Sequence, residues 1–384
     1  MNNEKKTIVV IGLCRDNLLL GGGFCDGLRE QFNLYVISAD LEYPWRINGY
    51  KTQEEWIMAN NPHPNYDFHI FSAKKTWGGY CESQDHAKAI QYGWNPMDIR
   101  EILESHNVYP DAILLTPTQD IVCDFTNIPE NIPVYYYFLG AVCWPRWPMN
   151  AHVRGFFYGY GEAPRTFKDI FPVEYHHLDF ATFVPNAYSA KVWYPKQVDR
   201  LEDKKHFLGF MGKMDFDRDT FFSRQLYKNR QKYVKYLQKK FALNFQGFRP
   251  VDQCREFLQD TFLGLNVAAF GVNMRQFEVP ACGALLLQHE NQDSARTGLV
   301  DRQNCLLFKN LNELDEQVEW AFSHTSEADE IRLNGIQYAQ KNTFYHRGVQ
   351  IADALNTHLT LLKSKETGTG TGTLPSIPLV INPD

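Results

Sequence analysis

The sequence predicts an α/β protein built from two similar halves, and three observations carry that reading. Short β-branched runs alternate with stretches of helical spacing from residue 7 onward. At 384 residues the chain exceeds what one hydrophobic core usually serves, so two domains are expected. The run LGLNVAAFGVNMRQFEVPACGALLL at 263–287 joins an apolar strand, a short loop, a helix opened by Arg275 and Glu278, and a second strand. Open α/β sheets hold ligands at the carboxyl ends of their strands, and helix N-termini there favour phosphate.

Residues Thr7–Leu13 (TIVVIGL) read as a buried strand that begins a parallel sheet. The loop 14–23 ends in Gly21-Gly22-Gly23, and FCDGLREQF follows with helical spacing. Asn33–Ala39 is a second strand, Ile99–His106 a helix, and Pro110–Leu115 a strand stopped by Thr116-Pro117-Thr118. Ile132–Leu139 (IPVYYYFL) is another strand, whereas residues 41–95 are irregular and aromatic and give no clear elements. The second half opens near Pro185. Phe207–Met211 is a strand followed by Gly212-Lys213, Arg224–Phe241 a helix, Leu243–Gln246 a strand and Val251–Phe257 a helix. After the 263–287 unit come a strand at Cys305–Phe308 and helices at Leu311–Ser323 and Glu327–Gln340. A last helix over about Tyr345–Leu362 is placed to cross back to the first domain. The expected boundaries are 1–184, 185–344, 345–363 for the crossing helix, and 364–384 for a flexible GTGTGT-containing tail.

Composition narrows the function classes. A net charge of −6 argues against a mainly electrostatic nucleic-acid binder. Eight cysteines are scattered with no CxxC pair, which fits buried thiols in a reducing compartment rather than a disulfide frame or zinc site. MNNEKKTIVVIGL passes from charge into a strand and lacks a signal peptide's apolar core, and no run reaches membrane-spanning length. A cytoplasmic protein is the expectation.

Two α/β halves with a nucleotide-type site in the second suggest the GT-B architecture of glycosyltransferases, two Rossmann-like domains facing across a cleft. The residues sharpen this. NMRQFEVPACGALLL resembles the R-x-F-E-x-x-A-C-G-A-x-L-L signature of the CgeB-like (spore maturation protein) glycosyltransferases. Phe183-Val184-Pro185-Asn186-Ala187 with Tyr194-Pro195, FLGFMGK at 207–213 and NTFYHR at 342–347 resemble further stretches of that family, in the same order. The likeness covers roughly 180–350 and leaves the first 180 residues, where an acceptor would bind, outside it.

The resemblance implies transfer of a sugar from a nucleoside-diphosphate donor to an acceptor hydroxyl, with the second domain holding the nucleotide. Glu278 then stands at the ribose, since a carboxylate accepts two hydroxyl protons side by side; its other reading is an acid favoured in a helix's first turn. Arg275 is the diphosphate candidate, permanently charged and forked, or else the surface partner of Glu278. Asn273 joins them on the donor side. Gly212 and Lys213 offer a glycine turn and a point charge after a strand. Gly21, Gly22 and Gly23 resemble the glycine-rich loop that faces donor phosphates in many GT-B enzymes. Asp16 and Asp120, each beyond a first-domain strand, are the candidate general bases, with turn or cap roles as the alternative.

No cofactor and no required metal are expected. Asp215-Phe216-Asp217 reads as a solvated loop rather than a divalent-cation site. His176-His177 point in different directions on a strand and make no metal pair, and His86 and His152 read as ordinary residues. The cationic helix 224–241 carries an apolar stripe (Leu226, Tyr233, Tyr236, Leu237, Phe241), so its basic face is expected in water. Trp45, Trp56, Trp77, Trp94, Trp144 and Trp147 anchor loops or offer faces to a saccharide acceptor. Two rival readings stay open: a non-catalytic nucleotide- or saccharide-binding protein on the same frame, and a nucleic-acid-modifying glycosyltransferase. Phe270 favours the first, because many retaining GT-B enzymes carry a glutamate eight residues before the second one.

Overall fold

Ile8–Ile11, Ala112–Thr116 and Thr261–Asn266 are buried on both faces and read as near-continuous apolar runs, and the described strands pair in parallel. The computed structural model describes residues 5–12, 21–39, 69–73, 97–116, 125–138, 153–159, 178–197, 200–212, 214, 221–247, 251–268 and 271–366. These fall into two units, one reaching Pro185 and resuming at Phe344, the other running from Asn186 to Thr343.

In the first unit β1 (Thr7–Gly12) is followed by α1 (Gly21–Arg29), β2 (Asn33–Ala39) and β3 (His69–Ala73). A two-residue strand β4 (Met97–Asp98), helix α2 (Ile99–Ser105), β5 (Ala112–Thr116), the short β6 (Phe125–Thr126), β7 (Val134–Phe138), β8 (Val153–Tyr158) and β9 (Phe180–Phe183) complete it. Seven strands pair in the order β3-β2-β1-β5-β7-β8-β9, and β4 pairs with β6 apart from them. The strand order reverses between β1 and β5, where Gly12 is in register with Thr116.

The second unit contains β10 (His206–Met211), α3 (Phe221–Phe241), β11 (Asn244–Gln246), α4 (Val251–Gln259), β12 (Thr261–Asn266) and α5 (Arg275–Ala281). It continues through β13 (Leu285–His289), β14 (Leu306–Phe308), α6 (Leu311–Ser323) and α7 (Thr325–Gln340). The sheet order is β11-β10-β12-β13-β14, all parallel, with its switch point between β10 and β12. Leu208, Phe210, Leu263, Leu265, Leu285 and Leu287 pack there against Val234 and Leu237 of α3. Both sheets confirm the expected mixed α/β class.

The last helix, α8 (Phe344–Glu366), belongs to the first unit and lies along α1. This contact corrects the reading of the triple glycine. Gly21–Gly23 do not end a loop; they form the first turn of α1. A methyl group on Gly23 would lie 3.0 Å from the Tyr345 backbone nitrogen, so close helix approach is one use of the missing side chain. Asp16, Asp120, Lys213, the 215–217 triplet, His86, His152, His176-His177, Phe270, the six first-domain tryptophans and the 367–384 tail fall outside the described residues.

A buried polar chain ties α8 to the sheet. Tyr135 Oη lies 2.7 Å from His358 Nδ1, and His358 Nε2 lies 3.1 Å from Asp179 Oδ2, at ion-pair distance but off the line of a hydrogen bond. Burial holds the imidazole below its ordinary pKa, with Asp179 pulling the other way. A histidine lowered on folding binds its proton more readily when unfolded, so its contribution is present above about pH 6.5 and lost as pH falls below that value. The melting temperature should therefore drop between about pH 7 and pH 5, and His358→Gln should flatten that slope. Parallel slopes in the two proteins would remove His358 as the cause.

Candidate functional site

Gly212 follows the carboxyl end of β10, while Asn273, Arg275 and Glu278 follow that of β12, and the two strands are neighbours at the switch point. Strand β12 ends at Asn266 and α5 starts at Arg275. Helix and strand pack closely because Gly264 leaves room. A side chain there would put its Cβ 2.6 Å from a Val279 methyl. Gly283 stops the helix instead. It takes φ +81° after the helix, with Ala284 N–H bonding to Val279 O and Gly283 N–H to Pro280 O, which is a Schellman stop. Its carbonyl accepts from Lys204 Nζ at 2.9 Å and Arg332 Nη1 at 3.0 Å.

Arg275 and Glu278 share one face of α5. Arg275 Nη1 stands 3.0 Å from Glu278 Oε2, and the side chains are 22% and 5% exposed, so this is not the surface pair that was the alternative. The contact is an ion pair without the alignment of a hydrogen bond, which leaves Nη1 short of a hydrogen-bond acceptor. Burial pushes the Glu278 carboxyl pKa up, and the neighbouring guanidinium opposes it. The guanidinium also sits 5.6 Å above the ring of Trp193. That segment is pinned by Arg255 on Val192 O and Gln259 on Tyr194 O.

Two expected donor groups are engaged inside the protein. Asn273 exchanges hydrogen bonds with Asn266, at 2.8 and 3.1 Å, and its Oδ1 accepts from Gln276 N–H. Asn266 also donates to Gln288 at 2.7 Å, making a buried carboxamide ladder across β12 and β13. The first-turn amides of Phe277 and Glu278 are bonded to Met274 O. Gln276 N–H is bonded to Asn273 as well, so three of the amides that open α5 are engaged within the turn. Gly212 follows β10 with φ +156°, a conformation L side chains rarely adopt, and its N–H bonds to Gln246 O at 3.2 Å.

Sequence reasoning missed Trp193, Asn266, Gln288 and Arg230. Polar amides at the ends of apolar strands were the available signal for the ladder. Arg230 lay hidden in a run of cations. In the structure its Nε and Nη2 reach Val267 O at 3.2 and 3.1 Å.

In the first unit, the glycines 21–23 stand at the start of α1, after β1. Strands β1 and β5, which precede Asp16 and Asp120, end side by side at the switch point.

The mixed α/β fold with two parallel sheets matches that of glycosyltransferases with the GT-B architecture. Residues 218–353, which include α5 and its Arg275–Glu278 pair, match the family model described as "Glycosyl transferase-like". Among solved structures, the sucrose-phosphate synthase of Thermosynechococcus elongatus superposes with a TM-score of 0.52 at 8% identity, covering 92% of this chain and 100% of that one. Anabaena HepE in complex with UDP and glucose superposes at 0.51 and 11% identity, covering 91% and 99%. A glycosyltransferase from Rickettsia africae gives 0.50 at 10% identity, covering 93% and 99%. No curated protein matches the sequence significantly. Among the described residues no helix is long and apolar enough to cross a membrane.

Proposed function

We propose that this protein is a glycosyltransferase of the CgeB-like group, moving a sugar from a nucleoside-diphosphate donor to an acceptor hydroxyl. The observation that carries the reading is the Arg275–Glu278 pair beyond the carboxyl end of β12: a buried carboxylate beside a guanidinium whose Nη1 lacks a hydrogen-bond acceptor, next to the sheet's switch point. Glu278 takes the ribose hydroxyls. Arg275 meets the diphosphate as the bond from the anomeric carbon to its oxygen breaks and negative charge builds on the leaving group. The acceptor oxygen forms the new bond and gives its proton to a base, for which Asp16 and Asp120 are the candidates. The permanent charge of Arg275 supplies the role a metal would otherwise play, so we assign no required metal. A cytoplasmic location suits such a donor and the buried thiols Cys25, Cys254, Cys282 and Cys305.

HepE is described with UDP and glucose, which makes uridine diphosphate sugars the first donors to test. In a panel of uridine, guanosine, adenosine, cytidine and thymidine diphosphate sugars, one base class should raise the melting temperature and release its diphosphate slowly without acceptor. No shift and no turnover with any of them would end the proposal. Binding without release or transfer would favour the non-catalytic reading that Phe270 suggests.

A further inference from the structure

The two loops at the second unit's switch point are both tied to one helix. On α3, Arg230 donates twice to Val267 O, the first carbonyl beyond β12. The next residue, Gln231, donates through Nε2 to Met214 O at 2.9 Å, just beyond β10 and Gly212. Consecutive residues of a helix point in different directions, so one turn of α3 reaches both strand ends. Arg230 is itself held in place. Its guanidinium lies 4.8 Å over the Tyr227 ring and 6.0 Å from that of Phe210, the ring that a Cβ on Gly212 would meet at 3.3 Å. Burial lowers the Arg230 pKa, Tyr227 opposes that shift, and the nearby charge of Arg275 adds to it. Arg230 thus holds the first carbonyl beyond β12, and Arg275 opens the helix that follows. Holding like charges together is unfavourable until an anion arrives, and a diphosphate relieves it.

We infer that Arg230 is a positioning residue for the donor's diphosphate, fixing the backbone at Val267, just beyond β12, while its charge adds to that of Arg275. The inference rests on the donor reading above. A Lys at this position keeps the charge and can still reach one carbonyl, whereas Met keeps only the stem.

Calorimetric titration of wild type, Arg230→Met and Arg230→Lys with UDP, GDP and the matching nucleosides tests it, with melting curves alongside. The expected result is a loss of about tenfold or more in diphosphate affinity for Arg230→Met. Nucleoside affinity should hold within about twofold, and Arg230→Lys should recover most of the loss. Equal diphosphate affinity in Arg230→Met and wild type would overturn this inference and leave the donor reading standing. So would an equal loss for nucleoside and diphosphate, which a purely structural role gives. Failure of Arg230→Lys to recover affinity would also overturn it, and that arm holds if Arg230→Met does not fold. Failure of the wild type to bind any nucleoside diphosphate would remove the donor reading and this inference together.

Discussion

Glu278→Gln is expected to weaken nucleoside diphosphate binding by roughly 30- to 100-fold, the loss of a charged acceptor of two hydroxyls at about 2–3 kcal/mol. Glutamine keeps the shape of the side chain but offers one acceptor oxygen and no charge. It also leaves Arg275 without its ion partner. Removing one member of a fully buried pair costs about 3–5 kcal/mol. Arg275 keeps 22% of its side-chain surface in solvent, so a stability cost of about 1–2 kcal/mol is expected instead. The raised pKa of Glu278 points the same way: burial already makes its charged form expensive, and a neutral side chain escapes that penalty. The ribose assignment has its own readout. Wild type should discriminate against the 2′-deoxy nucleotide, and Glu278→Gln should lose most of that preference. Equal affinity and equal ribose discrimination in the two proteins would remove the role.

The second large effect lies in the first unit. Gly348→Ala should destabilise it by about 3 kcal/mol, at the upper end of what overpacking costs. Helix α8 meets α1 at two reciprocal glycines. A Cβ on Gly348 would fall 2.1 Å from Phe24 O, and one on Gly27 would fall 2.2 Å from Tyr345 O. Both obstacles are backbone atoms, which no rotamer change relieves, so the helices must move apart. Hydrogen exchange is the suitable measurement. Amides of α1 and α8 should lose protection in Gly348→Ala, while those of β10 and β12 keep theirs. Unchanged protection in α8 would show that the helices tolerate the methyl group. Arg347, one residue earlier, is buried and donates to Pro185 O at 3.0 Å. In the stretch NTFYHR, then, Arg347 secures the chain where the first unit ends.

Sequence reading found strands buried on both faces, such as Ile8–Ile11 and Leu285–Leu287, and also the half-buried Asn244–Gln246. It passed over β3, β8 and β9. HIFSA and FATF are too short to show a period, and VRGFFY sets an exposed Arg154 in an apolar run. The Arg275–Glu278 face was legible because α5 fixes residues three apart on one side. Asn273 was read as a ligand group because a polar residue before a helix looks available. Its inward turn depends on Asn266, seven residues away, and on the ladder reaching Gln288 on the next strand.

By itself, then, the sequence determined what is local: the alternation that makes two parallel α/β layers, and the helix whose first turn carries Arg275 and Glu278. Period and residue type act within a few positions of each other and need no partner to be read. Tertiary structure alone decided which polar groups are engaged and which are not. Asn273 and Gly212 found internal partners, the triple glycine was drawn into α1 against α8, and Arg230 was taken out of a basic helix face to hold Val267. Each of those outcomes depends on atoms from elements far apart in the chain, brought within 3–4 Å only by the packing of helices on sheets.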